Sequence, residues 1–165
     1  MLLSLAFITQ VSAGEHFPFL AKVTHTSVNV RAGSNTNFEK IDKLKQGDTV
    51  VALDKQFEWY KIQLPTTALA YVRADYLDQH EGHLAQIIGD KVHVRARPNA
   101  ESSSLGLLTK GTVVQVLEVA NGWAKLSPGV GMVGWVHQAF ITKVSNNVDP
   151  ELIYQPLSLP AVASK

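Results

Sequence analysis

The chain has 165 residues, of which 45% are hydrophobic and 18% are charged, and this balance excludes intrinsic disorder throughout. Its formal net charge is +1, so the charge gives no indication of a nucleic-acid partner, an anionic membrane surface or an acidic substrate. The sequence contains no cysteine, which excludes disulfides, thiolate metal ligands and cysteine nucleophiles.

Residues 1–13 (MLLSLAFITQVSA) are predicted to be a signal peptide. Residues 2–8 form a short apolar core, and residues 11–13 offer the small side chains that a signal peptidase reads. No Lys or Arg precedes the apolar core, so either the true start lies further upstream or this is a buried N-terminal segment. The apolar run is much shorter than the roughly 20 residues that span a bilayer. We therefore expect a periplasmic or secreted protein with no membrane insertion after processing.

An internal repeat follows this segment. Residues 28–32 (VNVRA) return as residues 92–96 (VHVRA), so that Val94 lies 64 positions after Val30. The same offset holds without a gap for the pairs Asn35 and Asn99, Leu44 and Leu108, Gly47 and Gly111, Val50 and Val114, Leu53 and Leu117, Trp59 and Trp123, Lys61 and Lys125, and Val72 and Val136. Two homologous units are predicted, at residues 20–79 and 84–143, with a short linker between them.

Each unit is predicted to consist of short strands. In residues 28–31 and 92–95, valines alternate with polar side chains, which is the period of a half-buried strand. The next strands, residues 49–53 and 112–117, are rich in β-branched side chains. Alternation returns after Trp59 and Trp123, and no stretch has the period of an amphipathic helix. About sixty residues of short strands are typical of a small barrel.

The order of motifs in each unit resembles the bacterial SH3 (SH3b) domain. The first unit carries residues 29–34 (NVRAGS), 44–47 (LKQG), 59–62 (WYKI) and 71–72 (YV); the second carries 94–95 (VR), 97–98 (RP), 108–111 (LTKG), 121–126 (NGWAKL) and 134–136 (GWV). The resemblance implies an all-β fold of two small SH3-like β-barrels in tandem. The departures are Glu58, residues 70–71, His93 and Arg97, and they imply that the two binding surfaces differ.

Strand alternation assigns side chains to faces of the predicted barrels. The residues predicted to point inward are Val28, Val30, Tyr60, Ile62, Leu64 and Val72, and then Val92, Val94, Ala124, Leu126 and Val136. Those predicted to point outward are Asn29, Arg31, Trp59, Lys61, Tyr71 and Arg73, and then His93, Arg95, Trp123, Lys125, Trp135 and His137. We expect Arg31 and Arg95 to tie down the loops that follow them.

The outward faces place large aromatic side chains beside cations, which suits stacking on sugars, an extended peptide or a polyproline-type ligand. The candidate ligand-binding residues are Trp59, Tyr71 and Arg73 in the first unit and Trp123, Trp135 and His137 in the second. The alternative for each tryptophan is packing under a neighbouring loop, because a domain of sixty residues buries little surface.

Catalytic and metal sites are not predicted. The pair His80 and His83 has metal-ligand residue types, but a linker containing Gly82 is expected to be solvated. The serine run at residues 102–104 lacks a nucleophile-elbow pattern, and no phosphate-binding or dinucleotide-binding glycine motif occurs. The chain is therefore predicted not to be an enzyme and to need no cofactor.

The segment 144–165 contains Pro150, Pro156 and Pro160 and is predicted to be a flexible tail, although its apolar residues permit it to fold back onto a barrel. By the resemblance, the expected function is binding of cell-wall peptidoglycan or its peptide stems. The alternatives are an adaptor that recruits an envelope enzyme or scaffold and, if residues 1–13 are retained, an intracellular SH3-like protein.

Overall fold

The structure is a computed structural model that describes residues 14–161, so the predicted signal peptide lies outside the described residues. The described part is all-β, as predicted. Its strands are β1 (Phe19–Val23), β2 (Ser27–Arg31), β3 (Lys40–Lys45), β4 (Thr49–Gln56), β5 (Trp59–Gln63), β6 (Ala70–Arg73), β7 (Leu77–Gln79), β8 (Leu84–Ile87), β9 (Val92–Arg95), β10 (Ser104–Leu108), β11 (Val113–Ala120), β12 (Trp123–Leu126), β13 (Val133–His137) and β14 (Ile141–Ser145). Short 3₁₀ turns lie at Ala74–Tyr76, Glu81–His83, Gln138–Phe140 and Pro150–Leu152. Between residues 14 and 161 no helix has the length and apolarity to cross a bilayer.

The strands form two antiparallel sheets of seven strands each. Sheet 1 has the order β14-β1-β4-β5-β13-β2-β3, and sheet 2 has the order β10-β9-β6-β12-β11-β8-β7. Each repeat contributes five consecutive strands to one sheet and its last two strands to the other. Strands β6 and β7 of the first repeat complete sheet 2, while β13 and β14 of the second repeat complete sheet 1.

The exchange of strands is reciprocal and keeps the repeat register. In sheet 1, His137 lies opposite Trp59 on β5. In sheet 2, Arg73 lies opposite Trp123 on β12. Arg73 and Trp123 are the positions 64 residues away from His137 and Trp59, so the two junctions are equivalent. The prediction of one barrel at residues 20–79 and another at 84–143 therefore differs from the observed strand pairing. The two repeats have the same pattern of buried side chains, so the last strands of either repeat can complete a given sheet.

The predicted linker does not connect the two sheets. Residues 80–83 join β7 to β8, which pair as a hairpin inside sheet 2 with Gln79 opposite Ala85. The left-handed backbone that this hairpin needs is provided by Gly82 (φ 71°) and His83 (φ 62°). The chain instead crosses between the sheets at residues 64–69 and 127–132. The two crossovers lie together, because the Leu64 amide donates a hydrogen bond to the Met132 carbonyl at 3.1 Å.

All the residues predicted to point inward are buried, with exposed fractions of at most 8%. They form two hydrophobic clusters, and the exchanged strands supply each cluster with side chains from both repeats. Val136 joins the cluster of Phe19, Val30 and Ile62 under sheet 1. Val72 is completely buried in the cluster under sheet 2, so loss of the exchanged strands would open both cores.

Part of the described C-terminal segment packs on both sheets, as the fold-back alternative to a flexible tail expects. Gln63 donates to the Leu152 carbonyl at 2.8 Å and accepts from the Tyr154 amide at 2.8 Å. The Tyr154 hydroxyl donates to the Leu64 carbonyl at 2.6 Å. Leu157 makes an antiparallel bridge to Val113 of sheet 2. This segment therefore spans from sheet 1 across the crossovers to sheet 2.

A carboxylate connects the equivalent loops of the two repeats. Glu39 accepts hydrogen bonds from Arg97 Nε at 2.7 Å, from the Ser102 hydroxyl at 3.1 Å and from the Ser103 amide at 2.8 Å. Burial works against the charge of Glu39, but these hydrogen bonds prevail and hold its pKa below the usual value. Because the folded state favours the ionised form, Glu39 stabilises the fold at neutral pH.

The substitution Glu39→Gln is expected to lower the free energy of unfolding by about 1–2 kcal/mol at pH 7, because the charge-assisted hydrogen bonds are weakened. The difference shrinks as the pH falls below about 4.3, the usual pKa of a glutamate, because the unfolded chain then takes up a proton, and it is lost once the pH passes below the lowered pKa of folded Glu39. Urea denaturation at pH 7 and at pH 3 measures this. Glu101→Gln, at an exposed position, is the control; a Glu39→Gln difference that persists unchanged at pH 3 contradicts the assignment.

Candidate binding surfaces

The strand exchange regroups the six predicted binding residues. Trp59 lies with Trp135 and His137 on sheet 1, and we call these three side chains surface 1. Surface 2, on sheet 2, consists of Trp123 with Tyr71 and Arg73. The prediction placed Trp59 with Tyr71 and Arg73, and Trp123 with Trp135 and His137, and this grouping is wrong. Each surface is instead composite, with one strand from each repeat.

Surface 1 is packed around His137. The ring centroids of His137 and Trp59 lie 5.2 Å apart, with the rings nearly perpendicular at 88°. The Ala139 amide donates to His137 Nδ1 at 3.2 Å, so in the neutral ring Nε2 carries the hydrogen and faces Glu58 Oε2 at 3.5 Å. Trp59 is only 9% exposed, so its indole offers little area to a ligand. The packing alternative describes Trp59 better than ligand contact does.

A cleft of about 350 Å³ lies beside these rings. Its lining residues are Asn29, Arg31, Thr36, Trp59, His137 and Phe140. Arg31 Nη1 donates to the Thr36 and Phe38 carbonyls at 2.9 and 2.8 Å, which confirms that this side chain ties down its loop. Arg95 does the same in the second repeat, where its Nη1 donates to the Ser102 carbonyl at 2.9 Å.

Trp135, the third member of surface 1, has a lysine over its ring. Lys61 Nζ lies 5.3 Å from the centroid of the Trp135 ring and 3.3 Å from Asp54 Oδ2. An ammonium over an indole face at this distance makes a cation–π contact. Trp135 is half-buried, so one part of its ring remains open to a ligand.

Surface 2 is more open than surface 1. The guanidinium carbon of Arg73 lies 5.9 Å from the centroid of the Trp123 ring. Arg73 also donates to both carboxylate oxygens of Asp75, at 2.9 and 3.2 Å, and this contact holds the pKa of Asp75 below its usual value. Trp123 and Tyr71 are half-buried. A cleft of about 270 Å³ runs along this face, lined by Tyr71, Pro98, Glu118, Ala120, Asn121, Trp123 and Lys125.

Both surfaces therefore combine aromatic rings with cations on neighbouring strands. An exposed ring face packs well on the apolar face of a sugar, and a lysine or arginine beside it attracts a carboxylate. The arrangement suits a ligand that carries both groups.

Comparison with known proteins agrees with this fold. A family model described as "Bacterial SH3 domain" matches the chain twice, at residues 26–78 and 90–142. The chain belongs to the bacterial SH3 domain family. Both matches fall inside the two predicted sequence units, and the resemblance read from the motifs is confirmed.

A curated relative contains a similar stretch. The chain is 28% identical over 142 residues to the "Putative N-acetylmuramoyl-L-alanine amidase YrvJ" of Bacillus subtilis (strain 168), an alignment that covers 76% of this chain. The chain spans only 27% of the length of that relative. The similarity is therefore to a part of the larger protein.

The histidines do not converge in these SH3 domains. Among residues 14–161, no group of three or more His, Asp or Glu side chains is placed to hold a metal ion. His80 lies 3.6 Å from Asp78, its neighbour on the same hairpin, and His93 contacts the Ser104 hydroxyl at 2.9 Å. These contacts are local and bring no third ligand.

The sequence analysis missed other residues that line the clefts of the two SH3 domains. Phe140 lines the surface 1 cleft from a 3₁₀ turn, where strand alternation assigns no face. Tyr154 and Leu157 of the C-terminal segment line a further cleft of about 500 Å³ at the start of β11. Their apolar character was the only sequence signal, and it does not specify where the segment packs.

Proposed function

We propose that this chain is a non-catalytic binding protein of the bacterial envelope, periplasmic or secreted, whose two SH3 domains recognise peptidoglycan or its peptide stems. The observation that carries the proposal is the equivalent placement of aromatic rings beside cations on both sheets. The similarity to part of a protein named as an N-acetylmuramoyl-L-alanine amidase supports it, since that name describes a wall sugar joined to an amino acid.

Surface 2 has the better chemistry for this ligand. The half-buried Trp123 and Tyr71 present ring faces for a sugar, while Lys125, which lines the same cleft, attracts the carboxylates of a peptide stem. Arg73 is held by Asp75 and lies over the Trp123 ring. Such a shallow site is expected to bind weakly, with a Kd on the order of 10 μM to 1 mM. Two surfaces on one chain gain avidity if both engage the same polymer.

Co-sedimentation of the full chain with purified cell-wall sacculi tests the proposal. We expect the wild type to sediment, Trp123→Ala to bind about tenfold more weakly through loss of stacking, and Lys125→Ala to bind about threefold more weakly. Lys110→Ala, at an exposed position in the turn between β10 and β11, is the matched control and is expected to bind normally. Circular dichroism must show each variant folded, because truncating a packed tryptophan costs about 3–5 kcal/mol.

The outcomes separate the candidate functions. Binding that is weakened in folded Trp123→Ala and Lys125→Ala but unchanged in Lys110→Ala supports wall binding through surface 2. A folded wild type that stays in the supernatant from low to high salt contradicts wall binding and favours the adaptor alternative with an envelope protein partner. Release of soluble wall fragments during the incubation contradicts the non-catalytic role.

A further inference from the structure

The tip of the hairpin between β4 and β5 carries an exposed aromatic side chain in a strained conformation. Phe57 and Glu58 form the two-residue turn between the paired residues Gln56 and Trp59. The side chain of Phe57 is 83% exposed, the highest value for a large hydrophobic residue in the part of the chain described. Its φ is 53°, in the left-handed region that bulky residues seldom adopt. Neither feature stabilises the fold.

The second repeat shows what the same turn contains without such a side chain. There the turn is Asn121 (φ 52°) and Gly122 (φ 77°), between the paired residues Ala120 and Trp123. Asn and Gly are the residues that a turn with two positive φ values prefers. In the corresponding turn of the first repeat Phe57 has a positive φ and Glu58 does not, which is the sign pattern of a II′ turn, where glycine is preferred at the first position.

The residues around Phe57 are held in place. The Ser34 hydroxyl donates to Gln56 Oε1 at 3.0 Å, and the Gln138 amide donates to the Glu58 carbonyl at 2.8 Å. The Glu58 carboxylate lies 3.5 Å from His137 Nε2 of surface 1. The turn therefore presents Phe57 from a fixed position at the rim of surface 1.

The tryptophan beside this turn is more buried in surface 1 than in surface 2. Trp59 is 9% exposed, whereas its counterpart Trp123 is half-buried and lines the surface 2 cleft together with Asn121. Asn121 is the counterpart of Phe57, so the turn position borders the ligand-facing side in both repeats. Phe57 thus supplies at the tip an exposed ring that Trp59 does not.

We propose that Phe57 is a ligand-contacting residue of surface 1 and packs on the apolar face of a sugar ring of the glycan strand. A phenyl ring has no polar atom, so it takes the C–H face of a sugar. The carboxylate of Glu58, the other residue of the turn, belongs to a side chain that is 69% exposed and disfavours an anionic peptide stem at this tip. This inference rests on the proposed wall-binding function.

The decisive variant is Phe57→Asn, which gives the first repeat the residue that the second repeat has at this turn. Because asparagine tolerates a positive φ, the melting temperature of the full chain is expected to rise by about 2 °C. Binding to sacculi is expected to weaken about fivefold, and Phe57→Trp is expected to retain it. Ile88→Asn, which removes another exposed apolar side chain from a loop of sheet 2, is the control and is expected to bind as the wild type does.

A variant that is more stable and binds less well cannot be explained by misfolding. Glycan strands stripped of their peptide stems serve as the second probe, and the wild type is expected to bind them more tightly than Phe57→Asn does. Equal sedimentation of wild type and Phe57→Asn overturns this inference and leaves the proposed function standing. Binding of the wild type to sacculi but not to stripped strands overturns the sugar assignment. Failure of the wild type to bind sacculi overturns both.

Discussion

The first repeat expressed alone, as residues 14–79, is expected to form a dimer and not a compact monomer. Its last two strands, β6 and β7, pair in the full chain with β8, β9 and β12, none of which the fragment contains. Two copies can exchange these strands with each other in the register that the second repeat now provides. The full chain is in this sense a strand-exchanged dimer whose two halves are joined covalently.

The energetic reason lies in the cores. The fragment lacks β13, and with it Val136, which is completely buried under sheet 1. It also leaves Val72, completely buried in the full chain, without the sheet 2 cluster that covers it. Truncation of one such side chain typically costs more than 1 kcal/mol, and here whole strands are removed. Re-pairing of β6 and β7 restores what is lost, and because the crossover at residues 64–69 leads these strands away from sheet 1, we expect them to pair with a second copy.

Size-exclusion chromatography with light scattering, together with circular dichroism, measures this. The expected result is a folded species with twice the mass of the fragment. On dilution this dimer is expected to dissociate and unfold in a single transition. The full chain at the same concentration is the control and is expected to keep the mass of one chain. A fragment that is monomeric and unfolds cooperatively, with a melting temperature independent of concentration, contradicts the requirement for exchange.

The exchange also shows how much the sequence specifies. Alternation of valine with polar residues predicted which side chains are buried, because the period of a strand depends only on local backbone geometry. The same alternation placed Tyr71 and Trp135 on outer faces, where both are half-buried and Tyr71 lines the surface 2 cleft. The sequence did not predict which copy of β6 or β13 pairs with which sheet.

The physical reason for that gap is the repeat itself. Trp59 lies opposite His137, and Trp123 lies opposite Arg73, so in both junctions the two strands come from different repeats. Pairing of strands within one repeat would bury the same types of side chain. The choice depends on the paths of residues 64–69 and 127–132, and a sequence pattern does not encode the path of a crossover. For the same reason the sequence analysis grouped the candidate residues by repeat, whereas the strand exchange groups them across the repeats.

Trp59 and the C-terminal segment show a second gap. Outward position on a strand predicted an exposed indole, but His137 from the other repeat packs against it edge-on. The segment around Tyr154 has only scattered apolar residues, and its hydrogen bonds to Gln63 and Leu64 depend on a groove formed by the crossovers. Contacts between distant parts of the chain decide both cases, and local periodicity contains no information about them.

The second crossover, residues 127–132, passes very close to the backbone of β10. Gly106 on β10 has a φ of 156°, and a Cβ added there would overlap the carbonyl oxygen of Gly131 in the second crossover. The equivalent junction in the first repeat is made by side chains, since the Thr67 hydroxyl donates to Asp42 Oδ2 at 2.6 Å. Sheet 2 therefore relies on the absence of a side chain at a position where sheet 1 uses a hydrogen bond.

The substitution Gly106→Ala is expected to lower the free energy of unfolding by about 3 kcal/mol or more. Alanine is strained in a backbone conformation that only glycine adopts readily, and its methyl group would force the crossover away from β10. Urea denaturation of the full chain, followed by circular dichroism, measures the loss. The matched control is Gly129→Ala, in the same crossover but with open space around its added Cβ, and it is expected to change stability by less than about 0.5 kcal/mol. If the two variants are equally stable, the contact between β10 and the crossover does not exist in solution and the path of the exchanged strand must differ.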